Sequence, residues 1–134
     1  MSEENVDLVC RRWEAQMKRD PRKLDFSMLD PEVVYEDDFV PDHAGETYHG
    51  HDGLRRAWAR AIEPWESFTN EIEWARDAGD EVVTGHLMRV KAKESGIAAE
   101  LRYAYVWSLR DGKVVYCKSF ANPADALEAA GLSE

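Results

Sequence analysis

Asp37 is the residue of this sequence best suited to acid–base chemistry. It ends the run Val33-Val34-Tyr35-Glu36-Asp37, and on a strand Tyr35 and Asp37 share one face while Glu36 and Asp38 share the other. If Tyr35 faces a cavity, Asp37 lies in it or beside it. A carboxylate among apolar, aromatic groups has its pKa raised by desolvation, which suits a general base. The competing reading is a solvated acid at a strand end.

Histidines and aromatics are the other groups able to act on a ligand. His43, His49 and His51 fall in one stretch with Asp42 and Asp52. A metal site would use His49-x-His51 plus a carboxylate, but that spacing is common, and structural or loop roles are favoured, with no metal expected. His49 remains a candidate for the pocket mouth as a proton relay. His86 lies among Val82, Thr84, Met88 and Val90 on a strand and reads as a satisfied core or interface histidine, with a pocket position as the alternative. Tyr103, Tyr105 and Trp107 share a strand face, and Trp58 and Trp65 share a helix face. Core packing is preferred for Trp65 and Trp74. For Tyr35, Trp58, Met88, Tyr103, Tyr105, Trp107 and Phe120, lining a cavity competes evenly with plain packing. Such a wall suits a flat, apolar or aromatic ligand with one or two polar handles, and its hydroxyls could orient a carbonyl or stabilise an enolate.

The elements that must hold these groups follow from spacing. Val6, Val9, Cys10, Trp13 and Met17 predict a helix over 4–18, ended by Asp20-Pro21. Leu24 to Leu29 reads as one or two helical turns, broken by Asp30-Pro31. A strand is expected over 32–39, a short extended piece over 47–49, and then a helix whose stripe is Leu54, Ala57, Trp58, Ala61, Ile62 and Trp65. Phe68, Ile72 and Trp74 alternate as in a strand. Residues 81–93, 97–109 and 114–120 complete a four-stranded meander, with Asp111-Gly112 as a hairpin turn. Asn122-Pro123 and Gly131 bracket a short last helix. Segregated helices and strands predict one α+β domain over 1–134, a curved antiparallel sheet wrapped by the N-terminal helices around a pocket.

Composition narrows the partners. The chain has 134 residues, with 17 Lys+Arg against 27 Asp+Glu for a formal charge of −10, which disfavours nucleic acid and anionic membranes. No uncharged run exceeds seven residues and the N-terminus is acidic, so neither a membrane span nor a signal peptide is expected and a cytoplasmic location is. Cys10 and Cys117 read as reduced thiols. No phosphate loop, nucleophile elbow or Cys–His pair is present, so no cofactor is indicated. Nine acids and no Lys or Arg lie between Leu24 and Leu54, and their mutual repulsion is expected to raise some carboxylate pKa values.

Four segments together carry a resemblance: Val-Val-Tyr-Glu-Asp (33–37), Tyr-His-Gly-His-Asp-Gly (48–53), Val-Trp-Ser-Leu-Arg-Asp-Gly-Lys-Val (106–114) and Phe-Ala-Asn-Pro-Ala-Asp-Ala-Leu-Glu-Ala-Ala-Gly-Leu (120–132). Over nearly its whole length the chain resembles SnoaL-like proteins of the nuclear transport factor 2-like superfamily. The resemblance implies a conical α+β fold with a deep pocket and a homodimer formed through the outer sheet face. It also implies a range of chemistries: ketosteroid isomerases, polyketide cyclases, epoxide hydrolases, dehydratases and non-catalytic binders. Carried over from the isomerases, the base falls on Asp37, the first-helix oxyanion donor on Trp13 and the later-strand donor near Tyr105, so that Asp37, Tyr105 and Trp13 form the implied catalytic set. Two main expectations result. One is a cofactor-free isomerase, cyclase or dehydratase abstracting a proton next to a carbonyl. The other is a non-catalytic carrier or assembly module. An epoxide hydrolase is the third option and would need acids deeper in the later strands.

Overall fold

The computed structural model describes residues 2–39 and 45–132. Asp42 and His43 lie outside the described residues. The chain runs α1 (Ser2–Arg19), β1 (Leu29–Asp37), β2 (Glu46–His49), α2 (Gly50–Ile62), β3 (Trp65–Ala78), β4 (Glu81–Ala92), β5 (Ala98–Arg110), β6 (Lys113–Phe120) and α3 (Pro123–Ala129). The strands form one curved sheet in the order β2-β1-β6-β5-β4-β3. None of the described helices is long and apolar enough to cross a membrane.

The α+β class is as expected, and the sheet is mixed rather than wholly antiparallel. β3 to β6 form the antiparallel meander, but β1 runs parallel to β6. The connection from β1 passes through β2, α2 and three strands before β6 returns alongside it, so the direction is set by the closing of the whole sheet rather than by any local turn. The stretch from Leu24 to Leu29 is not helical: Leu29 N–H donates to Phe26 O at 3.0 Å in a single turn, and the Asp25 carboxylate accepts from Ser27 N–H. Nor does Asp30-Pro31 break the strand. Pro31 is exposed, at a register irregularity between Leu29 and Val34, where its missing N–H costs no ladder bond.

Two layers form. Val9, Trp13 and Gln16 on α1 and Leu54, Ala57, Trp58 and Ile62 on α2 are buried at helical spacing, and they cover the inner face of the sheet. Val82, Met88, Val90, Tyr103, Tyr105, Trp107 and Cys117 meet them from the strands. On the outer face α3 covers Val83, Ala104, Val106 and Phe120 with Ala126 and Leu127. Asn122 caps α3 by accepting from Ala124 N–H at 3.0 Å. Asp111 and Gly112 both have positive φ, 53° and 76°, as the hairpin turn between β5 and β6 requires.

Two bulges decide which side chains face inward. Between Ile72 and Trp74 the pairing of β3 with β4 slips, so Ile72 packs with the inner cluster while Trp74 packs with the outer one. The simple alternation of Phe68, Ile72 and Trp74 therefore fails at Trp74. Gly85 receives its indole: a Cβ there would stand 2.0 Å from Trp74 Cε2. The second bulge lies in β6. Leu109 pairs with Val114, but Ser108 pairs with Tyr116, leaving Val115 as the extra residue. This one-residue shift turns Cys117 and Ser119 to the inner face and Phe120 to the outer.

Candidate functional site

A cavity opens between the inner face of the sheet and helices α1 and α2. The space open to the centres of water-sized molecules is about 70 Å³, several times what one water needs. Asp37, Tyr35, Trp58, Met88, Tyr103, Tyr105, Trp107 and Trp13 all line it. Its walls are aromatic and interlocked. Trp13 meets Trp58, Tyr105 and Trp107 at centroid distances of 6.0, 5.7 and 6.1 Å, and Phe39 stacks on Tyr103 at 4.3 Å. Edge and offset contacts of this kind fix ring orientation beyond what area burial provides.

Asp37 ends β1 and is 3% exposed, the single buried carboxylate among the described residues. Its Oδ1 accepts from Phe39 N–H at 2.9 Å and from the Ser119 hydroxyl at 3.2 Å. Ser119 is itself oriented, because its oxygen accepts from Asp38 N–H at 3.0 Å. The bulge in β6 makes this contact possible.

Behind the tyrosines lies a buried polar chain. The Trp107 indole donates to Thr84 Oγ1 at 2.8 Å, and Thr84 Oγ1 lies 2.7 Å from His86 Nε2. His86 Nδ1 lies 3.0 Å from Asn70 Oδ1, Asn70 Nδ2 donates to Tyr103 Oη at 2.7 Å, and Tyr103 donates to Tyr105 Oη at 3.2 Å. Burial lowers the His86 pKa to about 3, so the ring is neutral. Burial also pushes the Tyr103 and Tyr105 phenols up, Tyr105 well above the ordinary value, which keeps both protonated. The Tyr35 phenol is raised by burial first and by the Asp37 charge second. The Cys117 thiol is raised well above its usual value by burial, so it is a cavity wall and not a nucleophile.

Three expected positions are corrected. Trp13 lines the cavity, but its N–H donates to Asn70 O at 3.1 Å and is not available to a ligand oxygen. His49 is exposed and is not among the lining residues. Strand parity sends Tyr48 inward and His49 outward. Phe120 packs under α3, with Lys118 Nζ 5.0 Å above its ring, on the far side of the sheet. His51 serves structure: its Nε2 donates to Leu29 O at 3.0 Å and its ring stacks on Phe26 at 4.7 Å. Among the described residues no three His, Cys, Asp or Glu side chains converge as metal ligands. The acidic stretch does not uniformly raise its carboxylates either. Asp25 is held below its ordinary value chiefly by the Ser27 N–H, and Glu36 chiefly by Lys118, whose Nζ is 3.0 Å away.

The spacing did not single out Ser119, Cys117, Asn70, Thr84 or Gln16. Gln16 Oε1 accepts from Asp25 N–H at 2.8 Å, which fixes the orientation of the amide, and its buried Nε2 has no hydrogen-bond partner among the described residues. Its one signal was position, one helical turn beyond Trp13 on the same face. The later strands contribute no acid to the described cavity wall.

Solved structures share this architecture. An NTF2-like protein of unknown function from Burkholderia pseudomallei is 25% identical, with a TM-score of 0.71 over 92% of this chain and 95% of that one. TerC, co-crystallised with polyporic acid, is 20% identical, with a TM-score of 0.71 over 95% and 98% of the two chains. A protein with a ketosteroid isomerase-like fold from Catenulispora acidiphila, in complex with trimethylamine, is 20% identical, with a TM-score of 0.70 over 94% and 93%. No protein of curated function matches the chain. The family model for the SnoaL-like domain matches residues 9–117, most of the length and all the strands that build the cavity except the last residues of β6, and the chain belongs to that family.

Proposed function

We propose that the cavity holds a small, flat, largely apolar ligand, and that the protein is a cofactor-free enzyme that abstracts a proton next to a carbonyl, as in isomerisation, aldol cyclisation or dehydration. One observation carries this reading. The single buried carboxylate among the described residues, Asp37, lines the same cavity as Tyr105, a phenol whose proton has no acceptor among those residues. In the proposed step Asp37 takes the proton from carbon. The electron pair moves into the carbonyl, and the developing oxyanion accepts a hydrogen bond from Tyr105. Burial supports Tyr105 in this role, because a phenol raised well above its ordinary pKa donates without ionising. Gln16 Nε2, which has no partner among the described residues, supplies a second polar handle on the α1 wall.

The test is deuterium incorporation, by NMR, into a panel of aromatic ketones in heavy water. Wild-type protein is expected to exchange the hydrogen next to the carbonyl, and Asp37→Asn to lower that rate by about 10²–10⁴-fold. Equal rates in the two proteins would remove Asp37 as the base. The second reading, a non-catalytic carrier, is favoured by the commitment of the Trp13 N–H to Asn70 O, which leaves one phenol rather than two donors at the oxyanion position. It predicts ligand binding without exchange.

A further inference from the structure

The buried chain behind the cavity has a direction, and one end sets it. An indole carries one N–H and no acceptor, so Trp107 obliges Thr84 Oγ1 to accept. The proton of Thr84 then goes to His86 Nε2, the partner at 2.7 Å. That nitrogen is bare, and the neutral ring carries its proton on Nδ1. The atom of Asn70 facing Nδ1 at 3.0 Å must therefore be the oxygen, and the amide nitrogen faces Tyr103 at 2.7 Å. Tyr103 is 1% exposed, its oxygen already accepts from Asn70, and the acceptor in reach of its proton is Tyr105 Oη at 3.2 Å. Asn70 cannot turn over in isolation, because its NH2 would then face the His86 Nδ1–H, donor against donor. Reversing any link would strand a buried proton or leave two donors facing each other, at the cost of a lost buried hydrogen bond.

We infer that this one-way chain makes Tyr105 a donor and not an acceptor toward the cavity, so that the site selects ligands presenting a carbonyl-type oxygen at Tyr105 and rejects those presenting an N–H. Asn70, His86, Thr84 and Trp107 are the positioning residues that set this selectivity. None of them needs to touch the ligand through its hydrogen-bonding atoms. The inference rests on the cavity being the ligand site and does not depend on any reaction there.

Three bicyclic probes of nearly equal size separate the possibilities: 1-indanone offers only an acceptor, indole only an N–H donor, and indene neither. In calorimetric titrations of the wild-type protein, 1-indanone is expected to bind about tenfold tighter than indene, the worth of one hydrogen bond to a buried group, and indole no tighter than indene. Tyr105→Phe should bring 1-indanone down to the indene level. His86→Leu releases the Asn70 amide to present either end to Tyr103, and the preference for 1-indanone over indole should fall to about twofold or less. Wild-type protein binding indole as tightly as 1-indanone, with Tyr105→Phe weakening both alike, overturns the inference, as does a folded His86→Leu protein that keeps the wild-type preference. If His86→Leu does not fold, the wild-type and Tyr105→Phe titrations decide. Failure of all three probes to bind would remove the cavity as ligand site, whereas binding without preference removes only the directional selectivity and leaves the Asp37 exchange test standing.

Discussion

Between pH 7 and pH 5 acid should destabilise this protein through His86, by an amount that follows from its burial. His86 is 1% exposed, hydrogen-bonded at both ring nitrogens, and ringed by Trp13, Tyr103 and Tyr105. Burial takes its pKa from 6.5 to about 3. A depressed folded value means the unfolded chain binds the proton more readily, so stability is full above pH 6.5 and is lost as pH falls toward 3. The whole gap is worth about 5 kcal/mol, which is comparable to the entire stability of many domains. Between pH 7 and pH 5 the linkage relation gives a loss of about 2 kcal/mol, or about 7 °C in Tm for a chain of this length. This window lies above the range of the depressed carboxylates. Asp25 and Glu36, which are also depressed, start from ordinary values of 3.8 and 4.5 and take effect below it. The assay is urea unfolding at half-unit pH steps for wild type and His86→Gln. Gln can still bridge Thr84 and Asn70 but cannot titrate. The variant is expected to lose less than about 0.5 kcal/mol over the same window. Parallel pH profiles for the two proteins would refute the argument that His86 is held neutral.

Two further outcomes are expected. Gly85→Ala drives a methyl into the Trp74 indole, 2.0 Å from Cε2, and should cost about 1–3 kcal/mol in chemical denaturation. The cost should largely vanish in a Trp74→Leu background, and an unchanged cost there would show that the clash is not its source. A homodimer through the outer face is also expected. There the exposed ion pairs of Arg89 with Glu71 and Glu100, and of Arg102 with Glu73, cross β3, β4 and β5 around buried Leu87 and offer both signs of charge to a second copy. A monomeric mass by light scattering at micromolar concentration would refute it.

The helices and strands were legible because each carries its own period. Trp13 and Trp58 fall on buried helix stripes, and Tyr103, Tyr105 and Trp107 alternate on one strand face, so local spacing alone predicts that they share an interior. Asp37 was legible for the same reason, through its parity with Tyr35. The sequence could not show what depends on register between strands. One extra residue at Val115 exchanged Phe120 for Ser119 on the cavity side, and one slip near Ile72 sent Trp74 outward, because a shift of one residue reverses every later side chain. Nor could spacing reveal hydrogen-bond partners drawn from three strands and a helix. Asn70, Thr84 and His86 read as ordinary strand residues until β3, β4 and β5 lie side by side, and Trp13 reads as a donor to the cavity until β3 brings the Asn70 carbonyl beneath it. The sequence by itself determined the elements, the aromatic wall and the candidate base. Tertiary structure decided which donors remain for a ligand, because a buried N–H or O–H takes whichever acceptor packing places within about 3 Å.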